Sequence, residues 1–233
     1  MYLNMKNLIL LLKQTNICNY FDQDPGSRVT VRDDNFFTAY CLQLNACLMT
    51  YKTHLSMGIL FSSIAFLSVE KIELSPALAT ILFFSTLLGA SVPDLDTPTG
   101  GLWQKIPAGS ILSRIVRPVF IGGHRHLSHS LIGMGIFTWL FWLLLKLLGL
   151  STINLELSAF VLGFTSHLFA DSLTEDGVPL LFPLDYHFGI PPDPFQKIRI
   201  KTGQWFENLV FYPLVNLAIL FSLYYYYINI VKK

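Results

Sequence analysis

Five apolar segments, separated by polar stretches, follow one another between residues 55 and 230. A helix that crosses the ~30 Å hydrocarbon core of a bilayer needs about 17–25 mostly apolar residues, and the first and fourth segments are short by this measure. We therefore predict an all-α fold, a polytopic integral membrane helix bundle with about five transmembrane helices. The segments are 55–69, 74–92, 131–150, 155–170 and 209–230.

The composition supports an integral membrane protein. Hydrophobic residues make up 52% of the chain and charged residues 13%, with a mean hydropathy of +0.50. Charged residues are about 25% of an average soluble protein. The net charge of +1 gives no overall field that would attract nucleic acid, so we expect the lipid bilayer and not a nucleic acid as the partner.

Residues 1–48 do not share this pattern. Their short apolar centre, residues 8–12, is far below the length of a span, and no sustained period follows it. Two interpretations stay open, a poorly structured cytoplasmic extension or a stretch upstream of a true start at Met49. We favour the second, and we predict a membrane-embedded helical domain over residues 49–233.

Histidines and aspartates cluster at the ends of the predicted spans. The densest group is the stretch 123–130, Gly-His-Arg-His-Leu-Ser-His-Ser, which directly precedes the third span. Because consecutive spans alternate in direction, residues before spans one and three and after spans two and four reach the same edge of the membrane. The candidates that meet there are His54, Asp94, Asp96, His124, His126, His129, His167 and Asp171.

Helical spacing pairs some of these side chains. His167 and Asp171 are four residues apart, and His126 and His129 are three apart, so each pair would share a helix face. A carboxylate inside the membrane costs about 2.5–3.5 kcal/mol on insertion scales, and a bound cation would offset that cost for Asp171. The alternative is that Asp171 ends the helix in water and that the histidines lie at a wet helix end.

For the remaining candidates, the argument for a role in the site rests on their position along the chain more than on their residue type. Asp94 and Asp96 follow Pro93, and we expect an extended segment there, in which side chains two residues apart point the same way. His54, taken alone, is as readily an interfacial histidine as a ligand. His187 lies in a Pro-rich loop, and no spacing places it near the others.

The available ligand types restrict the metal chemistry. All three cysteines lie within the first 48 residues, so an ion bound at the predicted spans must use imidazole and carboxylate ligands. This ligand set suits zinc or another divalent first-row ion. More than four candidate ligands suggest two or more ions, and adjacent ions activate water and neutralise a phosphate-like transition state. The sequence therefore favours hydrolysis over a structural metal.

These residues belong to longer motifs that resemble the YdjM family of membrane-bound, metal-dependent hydrolases, which is distantly similar to zinc-dependent phospholipases C. The resemblance covers roughly residues 49–225. The matching pieces are Thr53-His54, Pro93-Asp94-Leu95-Asp96, His124-Arg125, Ser128-His129-Ser130, the spaced residues Gly163, Ser166, His167, Leu168, Asp171, Thr174 and Gly177, and the run 178–183.

The resemblance implies a set of site positions, and His126 is not required by the family pattern. Those positions are His54, Asp94, Asp96, His124, His129, His167 and Asp171. Together with the residue chemistry, it predicts a metal-dependent hydrolase that cleaves a phosphoester, with a phospholipid as one candidate substrate. Asp94 or Asp96 is a candidate general base. Arg125 is either a clamp for a phosphate oxygen or a positively charged membrane anchor.

Two other functions stay open. A metal-ion carrier would need polar residues near the midplanes of its spans, and the middles of spans three and five are almost wholly apolar. A non-catalytic membrane protein with a structural metal would need a closed site with four protein ligands.

The loop charges predict the orientation. Eight Lys and Arg residues fall on one side of five alternating spans and four on the other. Because cytoplasmic loops carry the excess, the site should face the cytoplasm at the cell (inner) membrane. A reporter fused after Lys233 should therefore be external, and one inserted near Pro107 should be cytoplasmic. Both reporters on one side would show that a short segment does not cross.

Overall fold

The computed structural model describes residues 36–68, 75–96, 103, 106–107, 109–116, 126–149, 153–184 and 186–228. The chain divides into two compact units, Met1–Cys41 and Leu42–Lys233, and the candidate site described below belongs to the second. Over the described ranges the secondary structure is helical, with two isolated β-bridges and no strand. The all-α prediction is confirmed.

Six α-helices are present in the described ranges, and a π-helical turn, Glu207–Phe211, leads directly into the last of them. The predicted segments at 74–92, 131–150, 155–170 and 209–230 fall on α2, α4, α5 and α6, while the segment at 55–69 falls on the later part of α1. The helices are α1 Phe36–Leu67, α2 Pro76–Ser91, α3 Gly109–Val116, α4 Leu131–Leu147, α5 Ile153–Ser172 and α6 Tyr212–Tyr226. These bounds do not test a domain start at residue 49, which stays a prediction.

One helix in the described part of the chain, Glu207–Tyr226, is long and apolar enough to cross a membrane. Helices α2 and α4 are apolar but only 16 and 17 residues long. Helix α5 has 20 residues, but it contains Glu156, His167 and Asp171. The predicted bundle of five spans is therefore not confirmed by helix length and composition.

Side chains at the helix starts fix where α2 and α4 begin. Ser75 accepts a hydrogen bond from the Leu78 backbone N–H at 3.2 Å, and Pro76 occupies the first turn of α2. Ser130 accepts from the Gly133 N–H at 3.0 Å. A serine at the N-cap satisfies a backbone donor that the helix leaves free. Because α4 starts only after Ser130, the histidine-rich stretch is presented just ahead of the helix.

Two glycines bring α2 and α5 into close contact. A Cβ atom at Gly89 would lie 2.0 Å from the Phe160 carbonyl oxygen, and one at Gly163 would lie 2.2 Å from the Thr86 carbonyl oxygen. Small residues allow the backbones of neighbouring apolar helices to approach in this way. The close approach places the backbone of Ala90, near the end of α2, against the buried face of α5.

The loop that follows α5 is tied together by Arg199. Its guanidinium group donates hydrogen bonds to the backbone oxygens of Pro191 at 2.8 Å and Glu175 at 3.3 Å, and it forms an ion pair with Asp193 at 2.9 Å. The same loop contacts the start of α4, where the Leu131 N–H donates to the Leu180 carbonyl at 3.0 Å. These bonds hold the loop against the ends of the helices that carry the candidate site.

Candidate metal centre

Six of the predicted site residues, carried by four helical elements, lie in contact with one another. His54 belongs to α1, and His167 and Asp171 belong to α5. Short 3-10 helices, Pro93–Asp96 after α2 and Leu127–His129 before α4, carry the others, which are Asp94, Asp96 and His129. His124 and Arg125 lie outside the described residues.

Three buried ligand atoms form a nearly equilateral triangle. The Nε2 atoms of His129 and His167 are 3.3 Å apart. Asp171 Oδ2 is 3.3 Å from the first of them and 3.4 Å from the second. In a tetrahedral zinc site with bonds of about 2.0–2.2 Å, neighbouring ligand atoms are about 3.3–3.6 Å apart. The triangle therefore has the dimensions of one face of such a site.

Asp94 approaches the two histidines of the triangle from one side. Its Oδ1 atom lies 3.9 Å from His129 Nε2 and 3.7 Å from His167 Nε2. The Asp94 side chain is 18% exposed, whereas the side chains of His129, His167 and Asp171 are 0–2% exposed. Solvent therefore reaches the cluster on the side of Asp94.

Hydrogen bonds determine which ring nitrogen of His129 and of His167 carries a hydrogen. His167 Nδ1 lies 2.7 Å from the Ala90 carbonyl oxygen, which can only accept, so Nδ1–H is the donor. Ser128 Oγ donates its hydrogen to Asp96, so the contact of 2.9 Å between Ser128 Oγ and His129 requires His129 Nδ1–H to donate. In its neutral form, each imidazole therefore presents an unprotonated Nε2 atom to the centre.

This arrangement needs a positive charge at the centre. Two nitrogen lone pairs at 3.3 Å face each other and a carboxylate oxygen, and groups of this kind repel unless a cation or a proton lies among them. Burial lowers the pKa of the His129 imidazole, although contact with Asp171 acts in the opposite direction. Since the neutral imidazole is the form that binds metal, desolvation favours a metal ion over a proton at His129.

His54 extends the cluster on the other side of Asp171. Its Nε2 atom lies 3.4 Å from Asp171 Oδ1, and its ring stacks on His167 with centroids 3.9 Å apart. His54, Asp94 and His167 form a second candidate ligand group among the described residues. The two oxygens of Asp171 thus face different histidines.

The expected extended segment at Asp94 and Asp96 is wrong, because Pro93–Asp96 is a turn of 3-10 helix. With about three residues per turn, side chains two positions apart no longer point the same way. Asp94 faces the centre, whereas Asp96 Oδ2 lies 3.7 Å from Nδ1 of His129, on the opposite side of the ring from Nε2. The geometry favours Asp96 as a residue that orients His129 through Ser128, and not as the direct ligand expected from the sequence.

The other two histidines stand apart from the cluster. His126 precedes the turn Leu127–His129 and contacts the Phe182 ring edge-on, with centroids 6.2 Å apart. The predicted helix face shared by His126 and His129 is wrong, since α4 begins only at Leu131. His187 is exposed in the loop. Neither belongs to a candidate ligand group in the described part of the chain.

Two residues beside the cluster received no role from the sequence. Ser128 joins His129 to Asp96. Glu207, which is buried, accepts hydrogen bonds from Thr53 Oγ1 at 2.8 Å and from the Gly203 N–H at 2.6 Å. Through Thr53, Glu207 ties the part of α1 that carries His54 to the start of the apolar helix Glu207–Tyr226. The signal in the sequence that could have identified Glu207 is its position as an acidic residue just before the last apolar segment.

The chain matches known proteins over most of its length. The family described as YdjM inner membrane protein matches residues 49–233. An uncharacterized protein, YvsG, of Bacillus subtilis (strain 168) is 32% identical over 179 residues, which cover 77% of this chain and 95% of the relative. The inner membrane protein YdjM of Escherichia coli (strain K12) is 34% identical over 148 residues, which cover 61% of this chain and 70% of the relative. No solved structure matches the chain.

The geometry predicts which substitutions release metal. His129→Ala, His167→Ala and Asp171→Ala should each abolish or strongly reduce bound metal, because each removes one corner of the triangle. Ser128→Ala should weaken metal affinity about 10–100-fold, as expected when a ligand loses the group that orients it. Metal per protein, measured by mass spectrometry on folded protein purified in detergent, is the readout.

His126→Ala and His187→Ala are the matched controls, since they remove an imidazole outside the cluster. Both should keep the metal content of the wild type. Full metal content in the His129, His167 and Asp171 variants would contradict the assignment of these residues as ligands.

Proposed function

The chain belongs to the YdjM inner membrane protein family, and from this premise and the site geometry we propose that it is a metal-dependent hydrolase that cleaves a phosphoester at the membrane surface. Family membership implies association with the bilayer. The observation that carries the proposal is the buried triangle of His129, His167 and Asp171, with Asp94 as its one partly exposed neighbour. A catalytic metal site differs from a structural one in keeping such an accessible side.

A divalent ion suits the donor set, and zinc is the first candidate. Held by His129, His167 and Asp171, it would lower the pKa of water and neutralise charge on a phosphate. His54 Nε2 lies 3.4 Å from Asp171 Oδ1, outside the triangle, and this position supports a site for a second ion. The ion and its number belong to the proposal.

The protein side chains have separate tasks in this mechanism. The Ala90 carbonyl and the Ser128–Asp96 pair hold the two imidazole rings, so little reorganisation is needed during the reaction. Asp94 lies at the accessible side, where its carboxylate can accept a proton from the attacking water. Asp96 is engaged by Ser128, which makes Asp94 the better of the two candidate bases. Arg125 remains the proposed clamp for a phosphate oxygen.

We also propose that the five apolar segments all cross the membrane and that the site lies at its cytoplasmic edge. In support, apolar side chains are exposed on helices other than Glu207–Tyr226. Phe84 on α2 is 62% exposed, and Trp139 on α4 is 58% exposed. A bilayer would cover these surfaces. The reporter fusions at Lys233 and Pro107 test this arrangement.

A non-catalytic membrane protein with a structural ion is the second candidate. It is favoured by one observation, the approach of Asp94 Oδ1 to both Nε2 atoms, which would close the site with a fourth protein ligand. A metal-ion carrier has less support, because the candidate ligands lie at the ends of the apolar segments and not at their middles.

The hydrolase proposal predicts phosphoesterase activity that depends on metal and on Asp94. Metal-loaded protein should hydrolyse members of a panel of phosphomonoesters, phosphodiesters and phospholipids, and a chelator should abolish the activity. Asp94→Asn should lower kcat by about 10²–10⁴-fold, the usual contribution of a general base.

Asp176→Asn is the matched control, because it neutralises an exposed carboxylate in the loop outside both ligand groups. Its activity should stay close to that of the wild type. If metal-loaded protein hydrolyses no member of the panel, the structural-ion function replaces the hydrolase.

A further inference from the structure

Glu207 is a buried acidic residue that the proposed mechanism does not use. It is 4% exposed and stands at the start of Glu207–Tyr226, the helix with the length and composition of a span. Taking a carboxyl group out of water costs free energy unless hydrogen bonds compensate for it. Glu207 is also the first residue of a π-helical turn, a feature that occurs frequently at functional sites. Its burial therefore needs an explanation beyond the formation of the helix.

Two hydrogen bonds connect the Glu207 carboxylate to different parts of the chain. Its Oε2 atom accepts from the Gly203 N–H at 2.6 Å, within the loop that leads into the helix. Its Oε1 atom accepts from Thr53 Oγ1 at 2.8 Å, on α1. Thr53 directly precedes His54 in the sequence. The carboxylate therefore fixes the backbone of α1 next to a candidate metal ligand.

The ring of His54 lacks the support that the other two imidazoles of the cluster have. The Nδ1 atoms of His129 and His167 each donate a hydrogen bond. His54 Nδ1 is buried and has no hydrogen-bond partner in the described ranges. The ring instead stacks on His167, with centroids 3.9 Å apart. Stacking keeps two rings nearly parallel but lets them slide, so the position of His54 Nε2 depends on where α1 holds its backbone.

A small cavity beside His54 strengthens this dependence. It has room for about one water molecule, and Thr53, His54, Glu207 and Phe211 are among the residues that line it. Side chains in a protein interior are usually fixed by close packing on all sides. Because the cavity leaves His54 less closely packed on one side, the hydrogen bond between Thr53 and Glu207 contributes more to keeping the ring in place.

A second contact joins the same two helices farther from the site. The hydroxyl oxygens of Ser63 on α1 and Ser222 on α6 lie 3.1 Å apart. Ser63 is nine residues after His54, a distance of about 14 Å along a helix. This pair of helices therefore offers a polar contact of the same kind that is remote from the cluster, and its removal serves as a control.

We propose that Glu207 is a positioning residue for the second ion of the metal centre. Through Thr53 it holds His54 where Nε2 lies 3.4 Å from Asp171 Oδ1. This distance matches the separation of about 3.3–3.6 Å between neighbouring ligand atoms of one zinc ion. Groups that hold a metal ligand from outside are normally required for full metal affinity. As a statement about the second ion, this inference rests on the proposed function.

Titration of zinc into detergent-purified protein tests the proposal, with the affinity of each ion as the readout. In Glu207→Ala, the second ion should bind about 10–100-fold more weakly, the usual effect of losing such an outer group. The first ion should keep its affinity, because the triangle retains all three ligand atoms. Thr53→Val replaces the hydroxyl by a methyl group and should have the same effect. It also keeps the test available if Glu207→Ala does not fold.

Three further variants separate positioning from a general effect on stability. Glu207→Gln keeps an oxygen that accepts from Thr53, so it should recover most of the affinity for the second ion. The double variant of Thr53→Val and Glu207→Ala should lose no more affinity than the more affected single variant, because both changes remove one hydrogen bond. Ser63→Ala is the matched control and should bind both ions as the wild type does.

Three results would overturn the positioning role. They are a wild type that binds a single ion, an unchanged second affinity in Glu207→Ala, and an equal loss of the second ion in Ser63→Ala. The titrations do not depend on catalysis, so the two proposals fail separately. If Glu207→Ala loses the second ion but the wild type cleaves no phosphoester, the hydrolase function fails and the positioning role stands. If a phosphoester is cleaved and Glu207→Ala binds both ions normally, the positioning role fails and the hydrolase function stands.

Discussion

The burial of His129, His167 and Asp171 around one point is the constraint on which the rest of the structure depends. Their side chains have almost no contact with water, so the carboxylate and the two lone pairs must be compensated from within the protein. A metal ion or a proton at the centre would do this. Without one, the free energy of unfolding would carry the cost of three polar groups that face one another. Any function proposed for this chain must therefore account for the burial of these three side chains.

The surrounding elements can be understood as supports for that cluster. The glycines at 89 and 163 let α2 and α5 approach, and this approach brings the Ala90 carbonyl within 2.7 Å of His167 Nδ1. On the other side, Ser128 and Asp96 hold His129. Both rings are oriented by groups outside the cluster, which is how proteins fix the tautomer of a histidine that binds metal. The accessible carboxylate of Asp94 then gives the centre one direction from which a substrate can approach.

The sequence predicted the cluster because the alternating direction of consecutive helices determines which helix ends lie at the same edge of the membrane. Placing His54, Asp94, His129 and Asp171 at the ends of consecutive apolar segments is enough to bring them to one edge, whichever way the helices pack. Their roles depend on local geometry, which the sequence expresses less clearly. The 3-10 turn at Pro93–Asp96 separates Asp94 from Asp96. The start of α4 at Leu131, set by the Ser130 cap, removes His126 from the face of His129. Helix length and polar side chains also matter, and in the described part of the chain one helix, Glu207–Tyr226, has the length and composition of a span.

X-ray absorption spectroscopy on the metal-loaded protein tests the central claim most directly, because it reports which atoms bind the ion. We expect nitrogen and oxygen ligands at about 2.0–2.2 Å, with the outer-shell scattering of at least two imidazole rings and no sulfur at about 2.3 Å. The three cysteines all lie in residues 1–48, so a sulfur ligand would place the ion elsewhere in the chain. A spectrum with sulfur, or without imidazole, would contradict the metal centre described above.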